Sequence, residues 1–437
     1  MWRGRKSPFR ESATCDTRGA VIVRTLTLGV ALAVCLSSLP AAAQQLPLAP
    51  QFGIQAPTED LQKLQLPLRA PITLVPTITL SEEYNDNINL DNRNRVWDLV
   101  TGISPGLNFL WESRTHRLIA AYNFTAELYL RDPGRDNAFN TQNFTLDGSW
   151  RATERLTLTV TDAFNASTDT NLIAPQAASV GGRNRAWGNT LAAGAAYQLD
   201  ERTTVRGGGS WGTQRFARDE LDDSDVYRAN AFLDRQLTRT VRGTVGYDFA
   251  YFDIEHQDKV QAHTPRIGFT WRATPTITLA ALGGPTFELH DDGFSRITPA
   301  INASYDQRLW FGSLGFGVDR QLAGSGALGE VTDNTSVYGR VDVITLMRGL
   351  TVSFIPRYTW IKSARNDRID LSQFTAPLFV TYRITAWMAA VARYQFFRQR
   401  TDSVIFDRGG NVLATDADQN RLFVGMQFGY PITFDRP

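Results

Sequence analysis

The sequence predicts an all-β protein that folds as a transmembrane, up-and-down antiparallel β-barrel of about 18 strands, with 16 as the alternative count. Three features support this class: a last strand with one apolar face, a repeated hairpin unit, and a regular difference between short and long connections. Every second residue from Leu422 to Phe434 is apolar. A period of two places these side chains on one face of a strand, as the wall of a barrel in lipid requires.

The hairpin unit repeats from Pro71 onward. Four short turns follow directly after an aromatic residue, at Trp150, Tyr197, Trp271 and Tyr382. Other short turns fit residues 112–116, 238–240, 306–309 and 347–349, and longer polar loops fit residues 85–95, 132–140, 169–186, 217–225, 255–261, 290–295, 323–334, 364–370 and 402–418. Eight short turns and nine long loops give 18 strands, with short turns on the periplasmic side and longer loops outside.

Residues 1–43 are predicted to be a signal peptide. A basic lead-in precedes an apolar run from Leu26 to Leu39, and Ala41 to Ala43 offer a small-residue cleavage site. The alternative, a membrane anchor, needs ~20 apolar residues. Cys15 and Cys35 fall in this segment, so the mature chain is expected to have no thiol. The predicted location is the bacterial outer membrane after export.

Residues 44–70 carry four prolines and are predicted to form a periplasmic arm. The alternative is a partner-docking segment, because Leu61, Leu64 and Leu66 could line one side of a short helix. Residues 71–437 are predicted to be one barrel domain. The mean hydropathy of -0.24 does not argue against a barrel, because alternation averages the apolar signal away. A formal net charge of +1 offers no case for nucleic acid.

A soluble sandwich or propeller is the competing architecture, since it also alternates. The strict up-and-down order and the split into short and long connections favour the membrane barrel. Parity then assigns most strand charges to the lumen, because a charge in lipid is costly. In this assignment Asp162 breaks the parity of Leu158 and Val160, and we expect it at the rim or after a bulge.

The predicted lumen is charged, with arginine ahead of acids. The candidate lumen-lining residues are Arg206, Arg228, Arg242, Arg266, Arg272, Arg296, Arg340, Arg357, Arg383, Arg393, Glu127, Asp147, Asp234 and Asp248, joined on the same parity by Glu288, Asp306, Asp319, Asp342 and by Phe232, Phe252, Phe379, Phe397 and Phe423. They could form ion-pair ladders that brace the wall, or line a path for an anionic or hydroxyl-rich solute. The loops at residues 169–186 and 402–418 could fold inward as constrictions.

The pattern predicts no catalytic residue, no metal site and no cofactor. The four histidines of the mature chain, His116, His256, His263 and His290, are spread over a short turn and outer loops. Acids near His256 and the Asx-rich stretch at residues 85–92 have spacings that could suit a cation. We favour ordinary solvated loops over a cation site at both places.

The stretch Leu80-Ser-Glu-Glu-Tyr-Asn-Asp-Asn-Ile88, followed by Gly102-Ile-Ser-Pro-Gly-Leu107, carries a resemblance. It resembles the first hairpin of the outer-membrane β-barrel family associated with exopolysaccharide gene clusters. The resemblance implies translocation of a secreted polysaccharide, with a periplasmic polysaccharide export protein and the polysaccharide itself as partners. It carries no assigned site residues.

We therefore expect a non-enzymatic channel for a secreted polysaccharide or a similar polar solute. A structural or anchoring barrel and a general diffusion porin are the alternatives, and an outer-membrane enzyme is a third. Outer-membrane lipid and lipopolysaccharide are the expected surroundings.

Overall fold

The computed structural model describes residues 72–168, 185–365, 368–402, 405–406, 410, 412–414 and 416–434. The predicted signal peptide and periplasmic arm, and residues 169–184 of one predicted constriction, lie outside the described residues. The described part consists of β-strands joined by turns and loops, with two short 3-10 turns. No helix in these ranges is long and apolar enough to cross a membrane.

Twenty β segments form one sheet. The first fourteen are β1 (Ile72–Asn85), β2 (Asp98–Glu112), β3 (His116–Tyr129), β4 (Asn137–Arg151), β5 (Leu156–Ser167), β6 (Ala186–Gln198), β7 (Thr203–Phe216), β8 (Ser224–Gln236), β9 (Val241–Ile254), β10 (Val260–Arg272), β11 (Ile277–His290), β12 (Ser295–Leu309), β13 (Gly312–Ser325) and β14 (Glu330–Val343). The rest of the chain forms β15 (Leu350–Phe354), β16 (Arg357–Ser363), β17 (Asp370–Arg383), β18 (Met388–Thr401), the small separate hairpin β19 (Ile405–Phe406) and β20 (Val412–Ala414), β21 (Ala417–Gly429) and β22 (Ile432–Phe434).

The sheet closes on itself. Each strand pairs antiparallel with the next, and β1 pairs with β21 from Thr77↔Gly429 to Asn85↔Arg421 and with β22 at Ile72↔Phe434. The segments β15 and β16 lie end to end as one strand of the wall, as do β21 and β22. The barrel therefore has 18 strands, which confirms the predicted fold class and the higher of the two predicted counts.

The connections alternate in length largely as predicted, with two corrections. The short turn expected at residues 306–309 lies at residues 310–311, because β12 continues to Leu309. The long loop expected at residues 323–334 is wrong: β13 and β14 extend through most of it, and only residues 326–329 connect them. The ends of both strands carry polar residues, and the sequence pattern therefore predicted a loop there.

The outer surface is an apolar belt between two aromatic girdles. Ile78, Val245, Ile267, Phe316 and Val424 lie exposed along the middle of the strands. Exposed aromatic residues flank them near the short turns at Trp150, Tyr197, Trp271, Tyr382 and Trp387, and near the long loops at Tyr84, Trp187, Trp211, Tyr227, Trp360 and Tyr394. A closed antiparallel barrel with this belt is a membrane-spanning structure, and its even strand count and unequal connections place it in the bacterial outer membrane.

Asp162 does not sit at the rim or after a bulge. The register of β5 is unbroken, with Asp162 opposite Leu146 on β4 and Leu191 on β6, and Leu191 is exposed on the outer surface. The carboxyl therefore lies on the lipid-facing side in the middle of a strand, and its Oδ1 atom is covered without a hydrogen-bond partner in the described part.

Side chains reinforce the seam between the first and last strands. On the lumenal side, Glu83 accepts hydrogen bonds from Arg421 at 2.8 Å and from Arg393 at 3.2 Å. At the end of β1, the Asp86 carboxylate accepts from the backbone and side chain of Asn420 at 2.7 and 2.8 Å. The Asn87 side chain donates to the Asp418 carbonyl at 2.9 Å. The acidic-Tyr-Asn-Asp-Asn-Ile stretch thus fastens the closure of the barrel.

One hairpin leaves the wall. The pairing of β12 with β13 ends at Ile301↔Arg320, and residues 295–300 of β12 pair only with β11. The upper part of β13 and the turn after it instead enter the lumen, while β14 stays paired with β16 as far as Thr332↔Ser363. Leu322 and Val331 there pack with Phe252 and Val260. Its tip, at Leu328, packs with the loop residue Leu221, with Ile361, Ile369 and Leu371 of the hairpin formed by β16 and β17, and with Ile405. We call residues 321–331 the inner hairpin.

Replacing Ile267, which is 70% exposed, with lysine should lower the free energy of unfolding in lipid by about 2 to 4 kcal/mol. The cause is the transfer of an ammonium group into hydrocarbon. Equilibrium unfolding in phospholipid vesicles measures this, with Leu130→Lys in the connection after β3 as the control. Equal effects at the two positions would show that the belt is not in lipid.

Glu83→Ala should destabilise the barrel by about 3 kcal/mol, because two largely buried guanidinium groups lose their shared carboxylate. The three side chains are only 14%, 14% and 11% exposed. Asp132→Ala, which removes the partner of Arg135 in an outer connection, should cost at most about 1 kcal/mol. Denaturant unfolding monitored by circular dichroism compares the two, and a Glu83 effect no larger than the control would contradict the seam argument.

Candidate functional site

The candidate site is the lumenal face of the barrel. Each of the ten predicted arginines lies on the strand parity opposite to the exposed apolar belt, as the exposed neighbours Val205, Tyr227, Ile267 and Tyr394 show. The same holds for Glu127, Asp147, Asp234 and Asp248. Three of the arginines, Arg242, Arg272 and Arg383, lie near the periplasmic ends of β9, β10 and β17.

Six of the other seven arginines are paired with acids. The pairs are Arg206 with Asp234 at 3.0 Å, Arg266 with Asp248, Arg296 with Asp333 at 3.0 Å, Arg340 with Asp342 at 2.6 Å, Arg357 with Asp319 at 3.5 Å and Arg393 with Glu83 at 3.2 Å. Five of these pairs join two different strands and so brace the wall, which is one of the two interpretations the sequence left open, whereas Arg340 and Asp342 both lie on β14. Arg228 has no acid within ion-pair distance in the described part of the chain.

Sequence reasoning missed four residues of these networks: Glu83, Arg320, Asp333 and Arg421. Glu83 could have been found, since it alternates with the exposed Tyr84 at the end of the first strand. Asp333 could not, because it lay in a stretch assigned to a loop. These residues form ion pairs with side chains on other strands, and the sequence does not show which strands come together in the lumen.

Asp333 fixes the inner hairpin to the wall. Its carboxylate is 7% exposed and accepts hydrogen bonds from Arg320 on its own hairpin at 2.7 Å and from Arg296 on β12 at 3.0 Å. Arg296 also donates to the Ala364 carbonyl at 2.5 Å. A buried acid shared by two guanidinium groups is satisfied, so the hairpin can cross the lumen without leaving an isolated charge.

The lumenal wall is covered from β8 round to β1, a region we call the covered arc. Most of its inward polar residues are buried by neighbouring side chains and by the inner hairpin: Asp234, Thr244, Thr264, Thr286, Glu288, Thr298, Ser336, Ser353, Thr359, Gln373, Gln395, Gln419 and Gln427. Three inward aromatic rings in it carry guanidinium groups at about 5.5 Å, in the pairs Arg206 with Phe232, Arg228 with Phe252 and Arg393 with Phe423. This part of the lumen is packed.

The lumenal wall from β2 to β6, which we call the open arc, is different. Many of its inward residues are short, neutral and polar, and these keep contact with water: Ser104, Asn123, Thr125, Asn143, Thr145, Thr157, Thr159, Thr161 and Asn165. The two predicted acids here, Glu127 and Asp147, lie toward opposite ends of the strands, and Glu127 is bonded to Asn137 and Thr141. Water-accessible space therefore runs along hydroxyl and amide groups rather than along arginines.

The stretches with cation-like spacing are occupied by other partners. Asn85 Oδ1 accepts from the backbone of Asn87 and from Gln419, and Asn87 Oδ1 accepts from the backbone of Asp91. The backbone N–H of Arg93 donates to Asp91 and holds the pKa of that carboxyl below its usual value. Near the other stretch, Asp253 binds Lys259, His256 binds Asp222 and Asp258 binds Arg365 at 2.5 Å. Within the described ranges, no group of three metal-ligating side chains converges.

Comparison with solved structures finds distant similarities. The chain is 12% identical to OccAB4 of Acinetobacter baumannii, over 84% of this chain and 100% of that one, with a TM-score of 0.43. It is 12% identical to OccK2 (OpdF) of Pseudomonas aeruginosa, solved with glucuronate, over 84% and 98% of the chains with a TM-score of 0.43. It is 9% identical to the siderophore receptor PirA of Pseudomonas aeruginosa, over 84% and 81% with a TM-score of 0.41.

No known family profile and no curated protein matches the chain. At the identities and TM-scores given above, none of the three solved structures identifies the solute or the function of this chain.

Asp333→Ala should release the inner hairpin, because Arg296 and Arg320 then lose the carboxylate that joins them. We expect about 3 kcal/mol of destabilisation and faster amide hydrogen exchange in residues 321–331. Asp370→Ala is the control, since its partner Lys362 is an exposed surface pair worth at most about 1 kcal/mol. Unchanged exchange in the inner hairpin of Asp333→Ala would show that this network does not hold it.

Proposed function

We propose that this protein is an outer-membrane channel, not an enzyme, and that it conducts small polar solutes along the open arc. One observation carries the proposal: inside a closed barrel with an apolar outer belt, a wall rich in hydroxyl and amide groups keeps contact with water. Eighteen strands enclose enough space for an aqueous path. Neutral hydrogen-bonding groups replace part of the hydration shell of a solute without holding it as tightly as a fixed charge does.

The inner hairpin favours small solutes over a polymer. It crosses the extracellular half of the lumen and packs with the opposite strands β8 to β10 and with Leu221. A polysaccharide chain would have to pass beside it, whereas a small solute needs only the space next to the open arc. Polysaccharide translocation, expected from the resemblance of the first hairpin, receives no support from this geometry.

An anchoring barrel is the second candidate, and the extensive ion pairing of the covered arc favours it. Those pairs rigidify the wall whether or not anything passes through. The two candidates differ in ion conductance, because a channel needs a continuous aqueous path and an anchor does not.

Reconstitution of the purified full-length protein in planar bilayers should give discrete ion conductance. Thr161→Trp, which places a large side chain on the exposed part of the open arc, should reduce the conductance. Thr101→Trp on the outward side of β2 should leave it unchanged, which controls for the effect of a large residue in the wall. Consistently silent membranes with correctly folded protein would overturn the channel and favour the anchor.

A further inference from the structure

Arg228 differs from the other arginines along the middle of the lumen. Arg206, Arg266, Arg296, Arg340, Arg357 and Arg393 each pair with a carboxylate. The guanidinium of Arg228 instead lies 5.5 Å from the centre of the Phe252 ring and donates one hydrogen bond, to the Leu322 carbonyl at 3.1 Å. The nearby Asp248 is already paired with Arg266. One positive charge in this region is therefore not balanced.

A recess lies directly beside this guanidinium. It is bounded by the wall of β5 to β8 and by Ala323 and Gly324 on the inner hairpin, and it opens to the lumen. Its polar lining consists of Asn165, Thr190, Ser210, Gln214 and Ser224 together with Arg228. Glycines at positions 188, 212 and 324 keep this space free of side chains.

The recess also contains an unused hydrogen-bonding group. Gln214 is 8% exposed, and its Oε1 atom has no partner in the described residues. Arginine carries five N–H donors in a planar fork, and Arg228 spends one of them on Leu322. A buried polar group without a partner is costly, so both side chains gain from a ligand that offers acceptors to the one and a donor to the other.

We propose that this recess is a binding site for a small hydroxylated carboxylate of the sugar-acid class. The carboxylate would pair with the free edge of the Arg228 guanidinium, and hydroxyl groups would bond to Gln214, Ser210, Asn165 and Ser224. The unbalanced charge selects an anion, while the neutral remainder of the lining selects a solute rich in hydroxyl groups. This inference deepens the proposed function by naming a solute class that the open arc would deliver.

The simpler explanation is that Arg228 only fastens the inner hairpin through Leu322. That role needs one donor and no recess, and lysine could perform it equally well. The two explanations therefore predict different behaviour for Arg228→Lys, which retains a charge and a donor but loses the fork that a carboxylate accepts.

Equilibrium binding of galacturonate and galactose to the detergent-solubilised full-length protein tests the site. These probes differ in one carboxylate, so we expect wild-type protein to bind galacturonate more tightly. Arg228→Gln should weaken galacturonate binding by about tenfold or more, and Arg228→Lys should weaken it in the same direction. Arg117→Gln, which changes a lumenal arginine of the open arc bound to Asp147 at 3.9 Å, should bind galacturonate like wild type.

Equal binding of the two sugars, or galacturonate binding that survives in both Arg228 variants, would overturn the proposal. If Arg228→Gln does not fold, Arg228→Lys and Gln214→Leu provide the same comparison. The assay does not depend on conduction. A protein that conducts ions but binds no galacturonate disproves the site alone, and one that binds galacturonate but stays silent in bilayers disproves the channel alone.

Discussion

The structure depends on one constraint, that every main-chain donor and acceptor at the depth of the hydrocarbon must be paired within the protein. A sheet in lipid can meet this only by pairing its first strand with its last. Here β1 pairs with β22 over Ile72 to Leu74 and with β21 over Thr77 to Asn85. The Asn-rich turn after β1 extends this closure beyond the strands, with Asp86 bound to Asn420. The most distinctive motif of the sequence therefore serves barrel closure.

The same constraint explains where the ladder is allowed to break. Between β12 and β13 the pairing stops at Arg320, and the strand edge that follows turns into the lumen, away from lipid. Irregular backbone is tolerated at membrane depth when protein or water surrounds it. There Arg228 satisfies the Leu322 carbonyl, and Thr332 donates to the Ala323 carbonyl at 3.3 Å. Buried apolar residues on the outward face of the hairpin, such as Leu322, then pack against the inner wall.

Folding the hairpin inward divides the lumen into two unlike walls. The covered arc holds nearly all the lumenal arginines, most of them neutralised, so it supplies rigidity. Most inward side chains of the open arc are short and neutral, so water reaches them. Arg228 stands near the boundary between the two, where one charge remains unbalanced beside a recess. The lumen is rich in arginine, but most of these arginines are paired with acids and do not line the water-filled path. The side chains that a solute in this path can contact are mainly threonine, serine and asparagine.

The sequence by itself determined the class, favoured 18 strands over 16 and predicted which strand charges face the lumen, because a period of two is a local property that lipid on one side enforces. Trp150 and Tyr197 indicated their turns because aromatic side chains favour the interface between lipid and water, where the turns lie. Only the tertiary structure decided which lumenal groups meet: that Asp333 lies in a strand, that Glu83 joins Arg393 across the seam, and that Arg228 lacks an acid. Those contacts link residues far apart in the chain, and parity assigns a side chain to the lumen without saying what lies opposite it.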